Sequence, residues 1–157
     1  MQEFADHNFK CQVGAKPDID PAEHVDKRVY RFMSEGAGWC YMAMEQAIAA
    51  SGISENDISN PRTGIIMGSG GPSTGTIINA ADITRDKGPR RIGPYAVPKA
   101  MSSTASDTLA TPFKILGVNY SITSACTTSL HCVGAAAEQI QWGKQAVMFA
   151  GGCEEIH

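Results

Sequence analysis

A single cysteine, Cys126, stands where the residue pattern changes from strand to helix. Before it, apolar side chains alternate with polar ones and several are β-branched, which predicts a strand over Val118–Thr123. After it, apolar residues recur every three or four positions as far as Gly143, which predicts a helix. Unpaired backbone N–H groups at a helix start favour an anion, so more of the nucleophilic thiolate is expected at this position.

The pattern alone leaves two interpretations of this cysteine open. As a nucleophile it would be reachable, because its neighbours Ser124, Ala125, Thr127 and Thr128 are small. As a structural residue it would be a buried small hydrophobe, which is the usual state of a free cysteine. Gly134 and the three alanines after it give the following helix a face with little bulk, and this composition predicts a central, buried helix.

The composition describes one folded domain. The 157 residues are enough for a sizeable core, and the content of 43% hydrophobic and 18% charged residues argues against disorder. The net charge of −3 argues against general affinity for nucleic acid, and no apolar run has the length of a membrane span. The polar N-terminus does not resemble a secretory signal, so we expect a cytoplasmic protein.

The cysteines indicate reduced thiols rather than a disulfide framework. There are five of them, an odd number without framework spacing. No Cys-x-x-Cys pair occurs and the four histidines are scattered, so a zinc site is not expected.

The remaining elements alternate in a way that predicts an α/β fold with a parallel sheet. The chain is predicted to start with an irregular arm over residues 1–25, with one short edge strand near Phe9–Val13. The predicted elements that follow are a helix over 26–51 ended by Gly52, a strand over 63–71, a short helix over 74–84, a basic loop over 86–94, a helix over 98–113, the strand and helix around Cys126, and a strand over 145–152.

A small basic cluster lies at the start of the first long helix. Lys27, Arg28 and Arg31 occupy a helix start, where acidic residues are favoured. A solvated surface is the ordinary explanation of such a cluster. A negatively charged partner would explain its unusual placement.

Several collinear motifs carry a resemblance to a known family. The segment SACTTSLHCVGAA at 124–136 is preceded by GVNYSIT, and DKRVYRFM at 26–33, GPYAVPKAM at 93–101 and EQIQWGKQAVMFAGG at 138–152 stand in the same order. Together they resemble the β-ketoacyl-acyl-carrier-protein synthases, most closely the type I enzymes of bacterial fatty acid synthesis. The resemblance implies a thiolase-like fold, of which residues 26–157 would form one incomplete half of a five-layered αβαβα arrangement.

The resemblance also implies an activity and its partners. Members of the family move an acyl chain from a carrier protein to a cysteine, and the carbanion left when malonyl-carrier protein loses CO₂ then attacks the thioester. The phosphopantetheine arrives on the carrier protein, so no other cofactor and no metal is implied. The implied partners are the acyl carrier protein and a second copy of the chain, with no nucleic acid and no membrane.

Individual residues take their implied roles from the same motifs. Cys126 matches the acylated nucleophile, and its backbone N–H matches one donor to the oxyanion. Gly71 and Met101 match positions that line the acyl pocket, with Met101 contributed by the dimer partner. The residues that match the patch for the carrier protein are Lys27, Arg28 and Arg31. The strand at 118–123 resembles the one that pairs across the dimer.

The resemblance further implies a partial chain. The family's first strand is absent, and so is the C-terminal half that supplies two histidines and a lysine for decarboxylation and condensation. His131 and His157 match neither histidine, and His131 is predicted to be a packed core residue. Glu154 and Glu155 are predicted to be structural. We therefore expect the chain alone not to complete condensation.

Two other functions stay open at this point. One is a non-catalytic dimerisation or interaction module, and the other is a cysteine-dependent acyltransferase or thioesterase that receives a further residue from another chain. Half of a two-half fold would leave apolar surface uncovered. A dimer or higher oligomer is therefore expected.

Overall fold

Three parallel strands form the sheet in this computed structural model, which describes residues 1–156. His157, which was predicted to match neither catalytic histidine of the family, lies outside the described residues. They are β1 (Thr63–Ser69), β2 (Asn119–Tyr120) and β3 (Val147–Cys153), in the order β2-β1-β3. Strand β1 pairs with β3 along its whole length, from Thr63 opposite Val147 to Ser69 opposite Cys153. The predicted parallel α/β architecture is therefore confirmed.

Strand β2 is shorter than the predicted strand over 118–123. Only Asn119 and Tyr120 pair with β1, although the carbonyl of Val118 also accepts a hydrogen bond of 2.7 Å from the N–H of Ile65. Past Tyr120, the hydroxyl of Ser121 bonds to the hydroxyl of Ser106 in a neighbouring helix. This hydrogen bond between side chains takes the place of the backbone hydrogen bonds that would continue the strand.

The helices lie on both faces of this sheet. Their bounds are α1 Gln2–Asp6, α2 Pro21–His24, α3 Lys27–Tyr30, α4 Glu35–Ser51, α5 Glu55–Ile58, α6 Thr74–Lys87, α7 Ala96–Ala100, α8 Thr104–Ala110 and α9 Thr128–Gln141, with a 3₁₀ turn at Pro89–Arg91. Within the described part of the chain, none of them combines the length and the hydropathy of a transmembrane helix.

The main core lies between the sheet and helices α4 and α8. Its fully buried side chains include Met33, Ala37, Ile65 and Leu109. The predicted end of the first long helix at Gly52 is confirmed, because this residue ends α4 in the left-handed conformation. Burial of a side chain of this size stabilises the fold by about 1.5–3 kcal/mol relative to its exposure.

Two of the predicted helices are each divided in two, and both divisions have side-chain causes. The hydroxyl of Ser34 accepts a hydrogen bond from the N–H of Ala37. Ser34 is therefore the N-cap of α4, which is a separate helix from α3. Between α7 and α8, the hydroxyl of Thr104 donates to the carbonyls of Pro98 and Met101, which a continuous helix would need for itself. The single helices predicted over 26–51 and 98–113 were therefore wrong.

The N-terminal segment is more ordered than the predicted irregular arm. The edge strand predicted near Phe9–Val13 is wrong, because α1 folds back and the ring of Phe4 stacks on that of Phe9 at 5.4 Å. Helix α2 packs on α4, where a side-chain carbon on Gly38 would lie only 2.5 Å from Pro21. Residues 21–24 therefore belong to the packed body of the fold.

Helix α9 covers the opposite face of the sheet with its small side chains. Cys132 and Ala136 are buried against Ile66, whereas Leu130 is 71% exposed and Val133 50%. A side-chain carbon on Gly152 would lie 2.7 Å from the hydroxyl of Ser129, so the sheet admits only small groups at this contact. The prediction of a wholly buried central helix was wrong for its larger apolar residues.

Candidate functional site

The turn before α9 presents Cys126 to solvent. The cysteine lies two residues before Thr128, the first residue of the helix, and Ala125 adopts the left-handed conformation with φ +51°. Non-glycine residues rarely take this conformation, and such strain is concentrated at functional sites. The predicted strand-to-helix corner and its small, accessible surroundings are thus present.

Hydroxyl groups hold this turn together. The N–H of Ser124 donates to the hydroxyl of Thr128 at 2.9 Å, and that hydroxyl donates to the carbonyl of Ala125 at 2.8 Å. The hydroxyl of Thr127 donates to the carbonyl of Ser124 at 2.7 Å. The backbone on either side of Cys126 is therefore fixed by short local bonds, which offset the cost of the left-handed residue.

His131 adds a further contact to the same turn. Its Nδ1 lies 2.7 Å from the hydroxyl of Ser124, and its ring is exposed rather than packed in the core. The predicted core role was therefore wrong, because the seventh residue after Ser124 faces back across the turn once α9 begins at Thr128. A Ser and a His seven residues apart give no signal in the sequence until the position of the turn is known.

The Cys126 turn meets the carboxyl ends of β1 and β3. Gly70 follows β1, and its N–H donates to Oε1 of Glu154, the residue after β3, at 2.5 Å. A side-chain carbon on Gly70 would also lie 2.9 Å from the carbonyl oxygen of Ala125. Ligands of open α/β sheets bind at this end of the strands. The geometry therefore places the cysteine turn beside the edge where a substrate is expected.

A cavity of about 170 Å³ opens at this edge of the sheet. Gly71 and Met101 both line it, so the structure brings together the two positions matched to an acyl pocket, 30 residues apart in the chain. Met101 lines the cavity of its own chain, whereas the resemblance implied a contribution from a partner. Cys126 is not among the residues that line it; its turn adjoins the cavity edge through Gly70.

Glu155 joins the starts of two helices beside the cavity. Its Oε1 accepts a hydrogen bond of 2.9 Å from the N–H of Gly36 at the start of α4, and its Oε2 accepts one of 2.7 Å from the hydroxyl of Ser73 at the start of α6. Carboxylates are favourable at helix starts. The structural roles predicted for Glu154 and Glu155 are therefore confirmed by their bonds.

The basic patch of Lys27, Arg28 and Arg31 lies on the short helix α3 and its C-terminal end, with all three side chains exposed. Asp26 caps this helix by accepting from the N–H of Arg28 at 2.7 Å. The sequence predicted that this patch lies at the start of the first long helix. That prediction was wrong, because the patch lies on α3 and the long helix α4 begins only at Glu35. The guanidinium of Arg31 lies over the rings of Phe32 and Tyr95, at 4.9 and 5.6 Å from their centroids.

A second basic segment reaches the same side of the protein. The predicted loop after α6 contains the 3₁₀ turn with Arg90 and Arg91, both exposed. The chain continues to Tyr95, whose ring contacts Phe32 edge-on at 5.0 Å. The sequence showed both basic segments but not that one packs against the other, because the contact spans more than 60 residues.

An apolar groove adjoins the basic patch. It has a volume of about 380 Å³ and is lined by Arg28 and Asp107 together with apolar residues that include Val29, Phe32 and Pro98. A positive surface beside an apolar groove suits a partner that carries both negative charge and an apolar segment.

The fold is similar to that of solved ketosynthases. A β-ketoacyl synthase from Burkholderia phymatum superposes with a TM-score of 0.74 at 24% identity, covering 93% of this chain and 35% of that one. The AntDE:AntF structure, a type II acyl-carrier protein in complex with its ketosynthase, superposes with a TM-score of 0.77 at 24% identity, covering 88% of this chain and 40% of that one. These likenesses confirm the predicted thiolase-like fold.

Sequence comparison specifies the family. Residues 8–157 match the family described as "Beta-ketoacyl synthase, N-terminal domain". The chain is 48% identical to 3-oxoacyl-[acyl-carrier-protein] synthase 1 of Haemophilus influenzae and 50% identical to that of Escherichia coli K12, over 99% of this chain in each case. The chain therefore belongs to the β-ketoacyl synthase family. It spans 39% of the length of these two relatives.

Proposed function

We propose that this chain carries the acyl-accepting part of a β-ketoacyl-acyl-carrier-protein synthase, with Cys126 as the nucleophile. The observation that carries the proposal is the exposed cysteine on a hydroxyl-braced turn at the start of α9, in a chain of this family. Neither the strained turn nor the exposure of the thiol is needed by a purely structural cysteine. They support the catalytic alternative over the non-catalytic module.

The proposed step is a thioester exchange. The Cys126 thiolate attacks the acyl carbon of a carrier-bound thioester, and the tetrahedral intermediate then collapses to expel the carrier thiolate. The product is an acyl group on Cys126, with the number of thioester bonds unchanged. Backbone N–H groups, among them that of Cys126, would stabilise the oxyanion of the intermediate.

We assign the later condensation to the family's full set of residues rather than to this chain. Decarboxylation of malonyl-carrier protein needs the two histidines and the lysine that the resemblance attributes to the family's other half. His131 matches neither histidine, and its Nδ1 is engaged by Ser124. Acyl transfer is the step for which the described residues supply the groups.

The cavity that contains Gly71 and Met101 is our candidate for the start of the acyl site. It lies at the edge of the sheet that the Cys126 turn adjoins, and Gly71 leaves open space where a side chain would stand. A flexible methionine lines irregular apolar spaces well. We propose no resident cofactor, because the phosphopantetheine arm travels with the carrier protein.

Lys27, Arg28 and Arg31 form our proposed contact with the acidic carrier protein. Support comes from their common exposure on α3 and from the apolar groove beside Arg28. The stacking of Arg31 on two rings holds one of these charges in a defined position. In the AntDE:AntF structure an acyl-carrier protein is bound to its ketosynthase.

We also propose that the chain pairs with a second copy along β2. Asn119 and Tyr120 are exposed and lie at the edge of the sheet, where β1 is their one neighbouring strand among the described residues. An exposed strand edge is a template for pairing with another chain. The family resemblance implied that the strand at 118–123 pairs across a dimer, and the exposed position of β2 supports this proposal.

Mass spectrometry after incubation with an acyl-carrier-protein thioester tests the nucleophile. We expect one acyl adduct on the Cys126 peptide, its loss in Cys126→Ala, and its retention in Cys11→Ala, which removes another exposed thiol. An adduct of equal yield in Cys126→Ala would refute the assignment. So would the absence of any adduct while a small alkylating reagent still modifies Cys126.

Carrier docking is tested separately with two acyl donors. For the double variant Lys27→Glu/Arg28→Glu, the ratio of the acylation rate with carrier-bound thioester to the rate with a small thioester should fall at least about tenfold, as expected for charge reversal at an interface. Lys144→Glu changes an exposed lysine three residues past the end of α9 and should leave the ratio unchanged. A ratio that falls equally in both variants would show only a general charge effect.

A further inference from the structure

Two thiols away from the Cys126 turn lie close together in the core, and one of them, Cys153, also lines the candidate acyl cavity. Cys40 lies on α4 and Cys153 ends β3, and Cys153 packs against the core cluster to which Cys40 belongs. The sulfur of Cys153 also lies 3.0 Å from the position of a side-chain carbon on Gly36, one turn earlier on α4. The pair therefore joins a helix and a strand that are separated by more than 100 residues in sequence.

Solvent reaches both sulfur-bearing residues through one groove. This groove has a volume of about 320 Å³, and Cys40, Cys153, Lys16 and Trp39 are among the residues that line it. Cys132, by contrast, is fully buried on the other side of the sheet. Among the cysteines in the described residues, Cys40 and Cys153 combine a facing thiol with an opening for a small reagent.

We propose that Cys40 and Cys153 form a reversible dithiol–disulfide site that responds to hydroperoxides. The pairing rests on the packing of the Cys153 sulfur against α4 at Gly36, one turn before Cys40, and on the groove that both cysteines line.

The environments of the two thiols assign them different roles. The hydrogen bond from Cys153 lowers the pKa of Cys40, although burial opposes this effect. The pKa of Cys153 is raised, first because its thiol donates to Cys40 and then because it is buried. In the proposed reaction we take Cys40 as the thiol that reacts first and Cys153 as the thiol that resolves the intermediate.

The proposed oxidation has two balanced steps. The Cys40 thiolate attacks one oxygen of the hydroperoxide, forming an S–O bond and releasing an alcohol, or water from hydrogen peroxide itself, once a proton is taken up. The Cys153 sulfur then attacks the Cys40 sulfur, and the sulfenic hydroxyl leaves as water with the Cys153 proton. Two thiols and one hydroperoxide give one disulfide, one alcohol and one water, and a dithiol reductant reverses the change.

A Cys40–Cys153 disulfide would change the shape of the candidate acyl cavity. The consequence for acyl binding rests on the proposed function. Cys153 lines both the groove and the cavity that contains Gly71 and Met101. The next residue, Glu154, holds Gly70 at the edge of the cysteine turn. A bond that draws the end of β3 toward α4 would therefore displace the cavity wall.

The test treats the reduced 157-residue chain with one equivalent of hydrogen peroxide, blocks remaining thiols with N-ethylmaleimide and maps peptides without reductant. We expect a linked Cys40–Cys153 peptide, lighter than the two free peptides by two hydrogen atoms, as the main disulfide. Dithiothreitol should release it. The link should be absent in Cys153→Ser and present in Cys11→Ser.

The wild-type map alone decides the outcome, so a variant that fails to fold does not obscure it. Recovery of Cys40 and Cys153 as blocked free thiols, while Cys126 or Cys11 is oxidised, would overturn the proposal. Acyl loading is measured in a separate sample. A Cys40–Cys153 disulfide without acyl transfer would overturn the proposed function and support the dithiol site. Acyl transfer without the disulfide would support the proposed function and overturn the dithiol site.

Discussion

The hydroxyl of Ser124 and the ring of His131 lie 2.7 Å apart across the turn that carries Cys126. Ser124 precedes the left-handed Ala125, and His131 lies in the first turns of α9. The contact therefore connects the incoming chain with the helix that follows, and it adds to the hydroxyl bonds of Thr127 and Thr128. It holds the turn without involving the cysteine itself.

Substitution of His131 tests this contact. His131→Ala should lower the free energy of unfolding by about 0.5–1.5 kcal/mol, the usual value of one hydrogen bond. His131→Asn places a polar atom near the position of Nδ1 and should retain more of the stability than His131→Gln, whose amide lies farther out. Urea unfolding measures all three variants. Equal losses in the Ala and Asn variants would show that the hydrogen bond does not contribute.

Gly68 is expected to be intolerant of any side chain. A Cβ there would overlap the carbonyl oxygen of Ile122 and lie 3.1 Å from a methyl carbon of Thr128, so Gly68→Ala must push the Cys126 segment away from β1. We expect a loss of at least about 2 kcal/mol, the scale of overpacking in a close-packed interior. Thermal unfolding measures it, and a loss below about 0.5 kcal/mol, typical of surface substitutions, would contradict the geometry.

Gly134→Ala is the matched control, with the opposite expected sign. A Cβ at Gly134 meets no atom within 4 Å, and the residue lies inside α9. Alanine should therefore stabilise the chain by about 0.5–1 kcal/mol through helix propensity. A loss of stability instead would show that this face of α9 is covered by another copy in solution.

The carboxylate of Glu155 should matter more than that of its neighbour. Glu155→Gln replaces one of two acceptor oxygens with a donor group, so either Gly36 or Ser73 loses its charged acceptor, at a cost of about 1–3 kcal/mol. Glu154→Gln affects the single bond to Gly70 on a more exposed side chain and should cost less. Denaturant midpoints compare the two, and the reverse order would refute the role given to Glu155.

The exposed face of α9 predicts self-association. Leu130 is 71% exposed, Ile140 45% and Trp142 59%, an apolar surface of the kind that binds another protein. Sedimentation at micromolar concentration should show species larger than the 16.7 kDa chain, and Leu130→Glu/Ile140→Glu should shift them toward monomer. Ile77→Glu/Ile78→Glu on α6 is the control, since these residues are also exposed. A wild-type monomer would refute this prediction.

The sequence predicted the strand–Cys126–helix order because a change of periodicity is a local property. It did not predict which side of α9 is buried, because both sides carry apolar residues. Leu130 and Val133 are the more hydrophobic, yet Cys132 and Ala136 face the sheet. The glycines of β1 and β3 decide this, since they bring the helix too close for larger side chains.

Other features depended on contacts that a local pattern does not contain. The helix divisions follow from single hydroxyl groups, those of Ser34 and Thr104, whose competing bonds outweigh a continuous helical periodicity. The cavity assembles Gly71 with Met101, which the family resemblance supplied and periodicity did not. The contact between Cys40 and Cys153 had no signal at all, because nothing in the spacing of two distant cysteines shows that they meet.

The bonds of Glu155 also set an order of events during synthesis of the chain. Its carboxylate accepts from Gly36, which is 119 residues earlier. At roughly 5–20 residues per second, the start of α4 waits about 6–24 s for this partner. This part of the cavity wall therefore closes only after β3 and Glu155 have been synthesised.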